Sequence, residues 1–416
     1  MTLVEHQVTE VADGLLSDAD LLRIDRLAER RVLTCRATRT GYELAAGSFV
    51  GVVRLDRVRL QLRPKLSISG EQLIAWLSYA IGVDPLRPEL RRGWHTADDG
   101  LADLVVAALV DECRELIRRG LRRDYQREDR IEPVLRGRLD LPAQISRRYG
   151  MVDRLHVRTF DRRSDVWENQ VCHAALTAGT RVARNADLVR AAAATAHAFP
   201  AHPGGTYAAL RDLRRAHYHR MNAAYRVAHT WAALLLGGGG PTDLLRPSDA
   251  IAGSLLIDMD RLWESLVRRM VGDAAAEMGG TVVPAGGQNA LKVTVDDDYS
   301  TTFRPDVLIR YLEPTLVVLP VDAKYKHAST RAIDSSDLHQ LLTYAAAYPM
   351  PPPPRAIVVH PADLGWTRRR VAVAGPRGPL GEVLVVGVDI RQHPCDGRDR
   401  MRAELDRFRD TARRAG

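Results

Sequence analysis

The sequence contains very little lysine. Of its 60 basic residues only four are lysines, at positions 65, 292, 324 and 326, and all the others are arginines. An arginine keeps its charge under all ordinary conditions, whereas a lysine can take part in proton-dependent chemistry, so each lysine is worth locating. Lys324 and Lys326 stand two residues apart at the end of an apolar run, which makes that segment a first candidate for a reactive site.

Cysteine and long apolar runs are also scarce. The four cysteines lie far apart and form no CxxC pair, so neither a zinc site nor a disulfide framework is predicted. No stretch of 18 uncharged apolar residues occurs, which argues against a membrane span. The N-terminal residues carry acids and no apolar run, unlike a signal peptide. We therefore expect a soluble, cytoplasmic protein that has no membrane partner.

The overall composition is that of a globular protein with a basic surface. The chain has 416 residues, of which 45% are hydrophobic and 27% charged, and this length predicts two or three domains. The formal net charge is +8. Such a charge suits a polyanionic partner such as nucleic acid, but a solvated basic surface explains it equally well.

Residues 1–95 are predicted to form a β-rich N-terminal domain. Apolar and charged residues alternate through 49–68, which predicts a half-buried hairpin that turns near Asp56 and Arg57. A helix is predicted over 71–82. The first 45 residues match no pattern that indicates their fold or role.

Residues 96–240 are predicted to be mostly helical. Helical spacing of apolar residues continues through 165–184 and through 207–236. The histidines of this part do not converge on one helix face, so they are expected at the surface. The glycine- and proline-rich stretch 237–249 cannot continue a helix and predicts a flexible link.

Residues 250–416 are predicted to form a third domain of mixed α/β, or α+β, class. A long helix is expected over 254–279, then strands over 302–312 and 315–326, then a helix over 335–348. A proline-stopped loop followed by a buried strand at 351–361, a strand at 383–390 and a charged terminal helix complete this prediction.

Three residues of the two central strands form a possible catalytic set. Asp306 lies near the start of one strand, and Asp322 and Lys324 lie at the end of the next, where alternation places them on one face. Pairing of the two strands would bring Asp306 beside Asp322. A buried acid and lysine are costly unless they are paired, bound to metal or placed at a cleft.

Such a set can bind a divalent metal. Two carboxylates and the backbone carbonyl of Ala323 are hard oxygen ligands of the kind that Mg²⁺ prefers, and Mn²⁺ could substitute. The bound ion would activate water and polarise a phosphate, while Lys324 would orient the water or offset developing charge. The predicted chemistry is hydrolysis of a phosphodiester.

The spacing of these residues resembles the PD-(D/E)xK nuclease superfamily. The motif is Pro305-Asp306 followed by Asp322-Ala323-Lys324. This resemblance implies a restriction-endonuclease-like fold for the third domain.

Three residues on the flanking helices resemble further members of such a site. Glu264 stands where the superfamily often carries a metal-site acid, and Gln340 and Tyr344 resemble the QxxxY element of its RecB-related subset. Ordinary surface roles for Glu264, Gln340 and Tyr344 remain open. Lys326 and Arg304 are candidates for DNA contact.

Four longer segments resemble the McrC family, the nuclease subunits of McrBC-type, modification-dependent restriction systems. The segments are GVVRLDRVRLQLRPKL (51–66), GLRRDYQREDRIEPVLRGRLDL (120–141), DVWENQ (165–170) and DMDRLWESLV (258–267). The resemblance implies a partner, a hexameric McrB-like AAA+ GTPase that reads modified double-stranded DNA. It also implies that the N-terminal region docks on this motor and stimulates it. The chain has no GxxxxGK[ST] motif with which to bind nucleotide itself.

The arginines of the second of these segments have two possible roles. They could contact DNA phosphates or the partner, or they could be buried and paired with neighbouring acids; they are Arg122, Arg123, Arg136 and Arg138. Asn169 is interpreted as structural.

Two other functions remain open. The chain could be a catalytically idle adaptor that only activates the motor, or a nucleic-acid-binding protein that has no motor at all. The nuclease interpretation is favoured because Asp306, Asp322 and Lys324 are all present.

Overall fold

The computed structural model describes residues 1–82, 101–236, 255–295, 299–313, 316–326 and 333–415. The predicted link at 237–249 lies outside these described residues. No helix within the described ranges is long and apolar enough to cross a membrane.

The described residues form two compact units. One unit joins residues 1–82 to residues 256–415, and the other is built from residues 102–236. Both contain helices and sheets, so the predicted mixed α/β class is confirmed. The division of the sequence into three domains stays a prediction.

The N-terminal part of the first unit contains two small sheets. Its elements are β1 (Thr2–Val4), β2 (Val8–Ala12), α1 (Asp18–Ala28), β3 (Leu33–Ala37), β4 (Gly41–Ala46), β5 (Phe49–Arg54), β6 (Arg59–Arg63) and α2 (Gly70–Ile81). The predicted hairpin is confirmed as β5 and β6, because the Leu55 N–H donates to the Val58 carbonyl across the turn at 2.9 Å. The predicted helix is α2, which begins after the Ser69 cap and ends at Gly82, where φ is 77°.

The second unit is less helical than the sequence predicts. Its elements are α3 (Leu101–Arg119), β7 (Asp124–Glu132), β8 (Arg138–Leu139), α4 (Leu141–Arg148), β9 (Leu155–Arg163), α5 (Trp167–Val182), α6 (Ala186–Ala196), α7 (Gly205–Arg214) and α8 (Arg226–Leu236). The strands form a three-stranded sheet in the order β7-β9-β8. The helical pattern predicted through 207–236 is interrupted, since α7 and α8 are separated by a loop and a short 3₁₀ turn at Ala223–Tyr225.

A buried polar network explains the roles of Arg122, from the segment 120–141, and Asn169, from the segment 165–170. Glu168, which is 1% exposed, pairs with Arg122 at 3.0 Å and accepts a hydrogen bond from Asn222 Nδ2 at 2.9 Å. Asn169 donates to the Arg122 carbonyl and accepts from the Tyr225 hydroxyl. Arg122 and Asn169 are therefore structural, whereas Arg136 and Arg138 are exposed.

One histidine belongs to the same buried region. His229 is 1% exposed, and its ring bonds to the Tyr218 hydroxyl and the Glu168 carbonyl. The expectation of surface histidines is wrong at this position, because the ring fills an aromatic cluster that includes Trp167.

Replacing Glu168 by alanine is expected to lower the free energy of unfolding by about 2–3 kcal/mol. The substitution removes the acceptor that Arg122 shares with the buried Asn222 amide, while Arg122 keeps its ion pair with Asp124. Urea unfolding followed by circular dichroism measures the loss. The control is Asp129→Ala on β7, whose ion pair with Arg127 is exposed, so that its loss costs less than about 1 kcal/mol. Equal losses in the two variants would contradict the structural role of Glu168.

The C-terminal part of the first unit is built around a six-stranded sheet. Its elements are β10 (Leu255–Asp258), α9 (Met259–Ala276), β11 (Thr281–Val283), β12 (Leu291–Val295), β13 (Tyr299–Phe303), β14 (Val307–Tyr311), β15 (Val317–Ala323), α10 (Ser335–Ala347), β16 (Arg355–Ala362), β17 (Thr367–Gly375), β18 (Gly378–Asp389) and α11 (Pro394–Ala415). The large sheet has the order β11-β14-β15-β16-β18-β17, and β12 and β13 form a separate hairpin.

Two predicted elements of this part are each divided in the structure. The long helix expected over 254–279 begins instead as β10, and α9 follows with Asp258 as its N-cap. The strand expected over 302–312 breaks at residues 304–306, between β13 and β14. Pro305 explains the second break because a proline has no N–H to donate within a sheet.

Hydrophobic packing fixes the helices that flank the candidate site. The helix α10 packs on β15, β16 and β18 through a core that includes Leu341, Ala345, Ala356, Val358 and Val383. The helix α9 packs on α2, where the Trp263 and Trp76 rings lie 5.3 Å apart. Trp263 also donates to the Val359 carbonyl of β16 at 3.1 Å. These contacts hold α9 and α10 at fixed positions on the sheet.

Candidate active site

The structure brings the two central carboxylates together. The strands β14 and β15 are antiparallel, with Val307 opposite Val321, and the next step of this register places Asp306 opposite Asp322. Asp306 Oδ2 accepts a hydrogen bond from the Ala323 N–H at 2.7 Å. The two side chains thus lie side by side where the two strands meet the edge of the sheet.

Lys324 lies beside this pair. Its Nζ is 2.8 Å from Asp322 Oδ2 and donates a hydrogen bond to Gln340 Oε1 at 3.2 Å. Asp337 on α10 lies 3.9 Å from the same Nζ. Asp337 was not predicted from the sequence, although it stands three residues before Gln340 and so shares its helix face.

Gln340 and Tyr344 connect Lys324 to the segment that carries Asp306. Gln340 Nε2 donates to the Tyr344 hydroxyl at 2.8 Å, and that hydroxyl donates to the carbonyl of Arg304, two residues before Asp306, also at 2.8 Å. Gln340 and Tyr344 therefore lie in one network with the lysine and the paired carboxylates, rather than on a solvated helix face.

Two negative charges on the Asp306–Asp322 pair are unfavourable. Burial, and then the charge of Asp322, raise the pKa of Asp306 to about 7. Burial also raises the pKa of Asp322, although Lys324 opposes that shift. For Lys324 burial lowers the pKa, but the surrounding carboxylates outweigh this effect and the net shift is upward. When both aspartates are ionised and Lys324 is protonated, the three side chains together carry one negative charge.

Glu264 lies near this pair without joining it. Its carboxylate pairs with Arg268 at 3.0 Å, and Arg268 in turn donates to the Asp306 carbonyl at 2.8 Å. Its charge contributes to the raised pKa of Asp306. In the described part of the chain, no three His, Cys, Asp or Glu side chains come together as a metal-ligand group.

The two candidate DNA contacts border the site. Lys326 is exposed and pairs with Asp337 at 3.1 Å and Asp334 at 3.4 Å. The Arg304 side chain is exposed, and its carbonyl accepts the Tyr344 hydrogen bond.

The donors present at the site suit a hard divalent cation. Mg²⁺ is typically held by one or two carboxylates, with water and substrate oxygens completing its shell, so a pair is sufficient. Asp322 Oδ2 is buried, and apart from its ion pair with Lys324 no donor within the described residues makes a hydrogen bond to it. Two carboxylates, of which Asp322 is buried and Asp306 partly buried, lie beside one lysine at the ends of two neighbouring strands. They define a class of site that can bind a cation together with an anionic substrate.

Comparisons with known proteins identify the family. The chain matches the sequence profile of the McrBC 5-methylcytosine restriction system component over residues 44–352. Because this match covers well over half of the chain, the chain belongs to that family, and the predicted resemblance is confirmed. No curated protein sequence matches the chain.

The fold is similar to that of a solved assembly. A chain from "Refined half-complex from tetradecameric assembly of Thermococcus gammatolerans McrB AAA+ hexamers with bound McrC" matches with a TM-score of 0.67 and 16% identity, over 98% of this chain and 99% of that one. A cryo-EM structure of the Thermococcus gammatolerans McrBC complex matches at a TM-score of 0.48 and 18% identity, over 66% of this chain and 87% of that one. At these identities the likeness concerns the fold.

Proposed function

We propose that the chain is the Mg²⁺-dependent endonuclease subunit of a McrBC-type restriction system. The observation that carries this proposal is the set of Asp306, Asp322 and Lys324, joined through Gln340 and Tyr344 into one partly buried network. The six-stranded sheet with this set at its edge is, in this proposal, the PD-(D/E)xK domain. Membership of the McrBC family supports the substrate, double-stranded DNA.

Each residue has a defined task in this proposal. Asp306, Asp322 and the Ala323 carbonyl would hold Mg²⁺, or Mn²⁺ in its place, and Glu264 would act through the surrounding water. Bound Mg²⁺ polarises a phosphoryl oxygen and lowers the pKa of its water. Lys324 offsets the negative charge that develops on the scissile phosphate. Gln340 positions Lys324, and Tyr344 positions the segment before Asp306.

The proposed binding partners are DNA and a motor protein. The exposed side chains of Arg304 and Lys326 border the site and are proposed to contact DNA phosphates. The partner is proposed to be a McrB-like AAA+ GTPase hexamer, which the likeness to a McrB–McrC assembly supports. In this division of labour the motor reads the modified base, and both proteins work in the cytoplasm.

Replacing Asp306 by asparagine is expected to stabilise the metal-free protein and remove its response to Mg²⁺. The folded state raises the pKa of Asp306 from 3.8 to about 7, so it binds the proton more tightly than the unfolded state does. Wild-type stability in EDTA therefore falls as pH rises through this interval. At pH 8 the variant, which keeps an oxygen to accept the Ala323 N–H, should gain on the order of 1–2 kcal/mol.

The measurement is thermal unfolding in EDTA and in increasing MgCl₂ at pH 8. Wild-type protein should gain stability with Mg²⁺ through mass action, whereas Asp306→Asn should not. Asp406→Asn, an exposed acid on α11, controls for the change in net charge. A Mg²⁺ response that is the same in all three proteins contradicts the proposed metal site.

A further inference from the structure

Three of the four lysines meet at one short segment. Lys324 and Lys326 belong to it, and Lys65, which follows β6, reaches it from the N-terminal sheet. Lys65 Nζ donates a hydrogen bond to the Tyr325 carbonyl at 2.7 Å and lies 4.3 Å from the centre of the Tyr325 ring. In a chain whose other basic residues are almost all arginine, this contact indicates a position that needs a compact ammonium group.

Glu5 holds both partners of this contact. It is 2% exposed, and its Oε2 accepts hydrogen bonds from the Tyr325 hydroxyl at 3.0 Å and from the backbone N–H of Lys65 at 2.8 Å. Glu5 follows β1 and Lys65 lies beyond β6, and these two strands pair in parallel. The cluster of Glu5, Lys65 and Tyr325 therefore fastens the N-terminal sheet to the segment after β15.

The cluster of Glu5, Lys65 and Tyr325 includes the residue that directly follows the proposed catalytic lysine, Lys324. Lys324 is held to β16 by its backbone N–H, which donates to the Val359 carbonyl at 2.9 Å. The next residue, Tyr325, is 4% exposed, and the hydrogen bonds at its carbonyl and its hydroxyl come from Lys65 and Glu5. Because successive side chains of an extended chain point to opposite sides, Tyr325 points into the N-terminal sheet while Lys324 points to Asp322.

We propose that Glu5 and Lys65 position Lys324 and the Ala323 carbonyl through Tyr325, so that the N-terminal sheet sets the reactivity of the site. This inference rests on the proposed nuclease function. Glu5, Lys65 and Tyr325 are positioning residues, since their contacts are with one another and not with the carboxylate pair. A shift of the N-terminal strands, such as a docked motor could impose, would be transmitted through Tyr325 to Lys324, its direct neighbour in the chain.

The small number of lysines allows this positioning to be observed without enzymatic activity. Protein labelled with ¹³C at lysine Cε should give one NMR signal for each of Lys65, Lys292, Lys324 and Lys326. Tyr325→Phe, which keeps the ring and removes the bond to Glu5, and Lys65→Met are both expected to move the Lys324 signal. Lys292 on β12 is the internal reference and should not move.

A matched variant controls for the loss of a buried hydroxyl. Tyr311 lies on β14 of the same sheet, and its buried hydroxyl has no hydrogen-bond partner within the described residues. Tyr311→Phe should leave the Lys324 signal unchanged. If Lys65→Met does not fold, Tyr325→Phe still decides the question, because it removes only one oxygen.

Cleavage of plasmid DNA with Mg²⁺ and the motor gives the second readout. Tyr325→Phe should lower kcat about 10-fold, because a misplaced catalytic group loses rate, and should leave KM nearly unchanged. Lys65→Arg, which keeps the charge but not the compact head, should not restore the loss caused by Lys65→Met. An unmoved Lys324 signal with wild-type cleavage in Tyr325→Phe overturns the inference. If Asp322→Asn cuts normally, the nuclease site itself is wrong, and the lysine signals still decide the positioning.

Discussion

Replacing Asp322 by asparagine is expected to reduce Mg²⁺-dependent DNA cleavage by about 1000-fold, equivalent to ~4 kcal/mol in the activation barrier. Asp322 is 2% exposed, lies opposite Asp306 and contacts Lys324, so it connects the proposed metal ligands to the proposed catalytic lysine. Asparagine keeps the shape of the side chain but removes the negative charge that a cation requires. Single-turnover cleavage of modified duplex DNA, in the presence of the motor and GTP, measures the loss.

Two controls show whether the loss of cleavage comes from the proposed active site. Asp389→Asn changes another buried acid at a strand end of the same sheet, one that pairs with Arg391 outside the site, and should cut at nearly the wild-type rate. Stimulation of the motor's GTP hydrolysis should be the same in wild type and Asp322→Asn. Phage defence that survives Asp322→Asn but not changes in the N-terminal region would support the adaptor function instead.

Replacing Lys324 by methionine is expected to reduce cleavage by about 100-fold while leaving Mg²⁺ binding intact. In the proposed mechanism the lysine would place positive charge beside the scissile phosphate, and removal of one such group typically costs 10²–10³ in rate. Its Nζ also pairs with Asp322 Oδ2 at 2.8 Å, so its removal would free an oxygen of the proposed metal ligand. The stabilisation by Mg²⁺ in thermal unfolding should therefore be equal to, or larger than, that of wild type.

The neighbouring lysine provides the matched control for this prediction. Lys326 stands two residues further on, is more exposed and pairs with acids on or next to α10, so Lys326→Met should weaken DNA binding and change the catalytic rate little. Equal effects of the two substitutions on kcat would contradict a catalytic role for Lys324. Loss of the Mg²⁺ response in Lys324→Met would place the lysine among the groups that build the metal site.

The parts of the fold that were predicted correctly have local causes. The β5–β6 hairpin follows from alternating apolar and charged residues, and the helix predicted over 71–82 is found as α2, which Ser69 caps and Gly82 ends. Asp306, Asp322 and Lys324 could be placed together because strand alternation and antiparallel pairing act over a few residues.

The strands of the second unit were missed because they lack the usual alternation. β7 is largely exposed on both faces, and much of its pairing with β9 consists of charged partners, such as Glu128 with Arg163 and Arg130 with Asp161. A period of two in hydrophobicity exists only where one face is buried. The sequence of β7 therefore resembles that of a polar loop.

Other features depend on residues that are distant in sequence. The break between α7 and α8 contains Asn222, whose amide donates to Glu168, 54 residues earlier. The contact of Glu5 with Tyr325 spans 320 residues. Neither pairing leaves a pattern in a single sequence, so neither could be predicted from it.

The chain is proposed to cut DNA at the Asp306–Asp322 pair when a motor acts with it. The most direct test of this proposal is a cleavage time course with the wild-type chain, its AAA+ partner, GTP and modified duplex DNA, in Mg²⁺ and in EDTA. DNA fragments are expected only when the chain, the partner and Mg²⁺ are present together. Intact DNA in Mg²⁺, while the chain still stimulates GTP hydrolysis by the partner, would contradict the proposal.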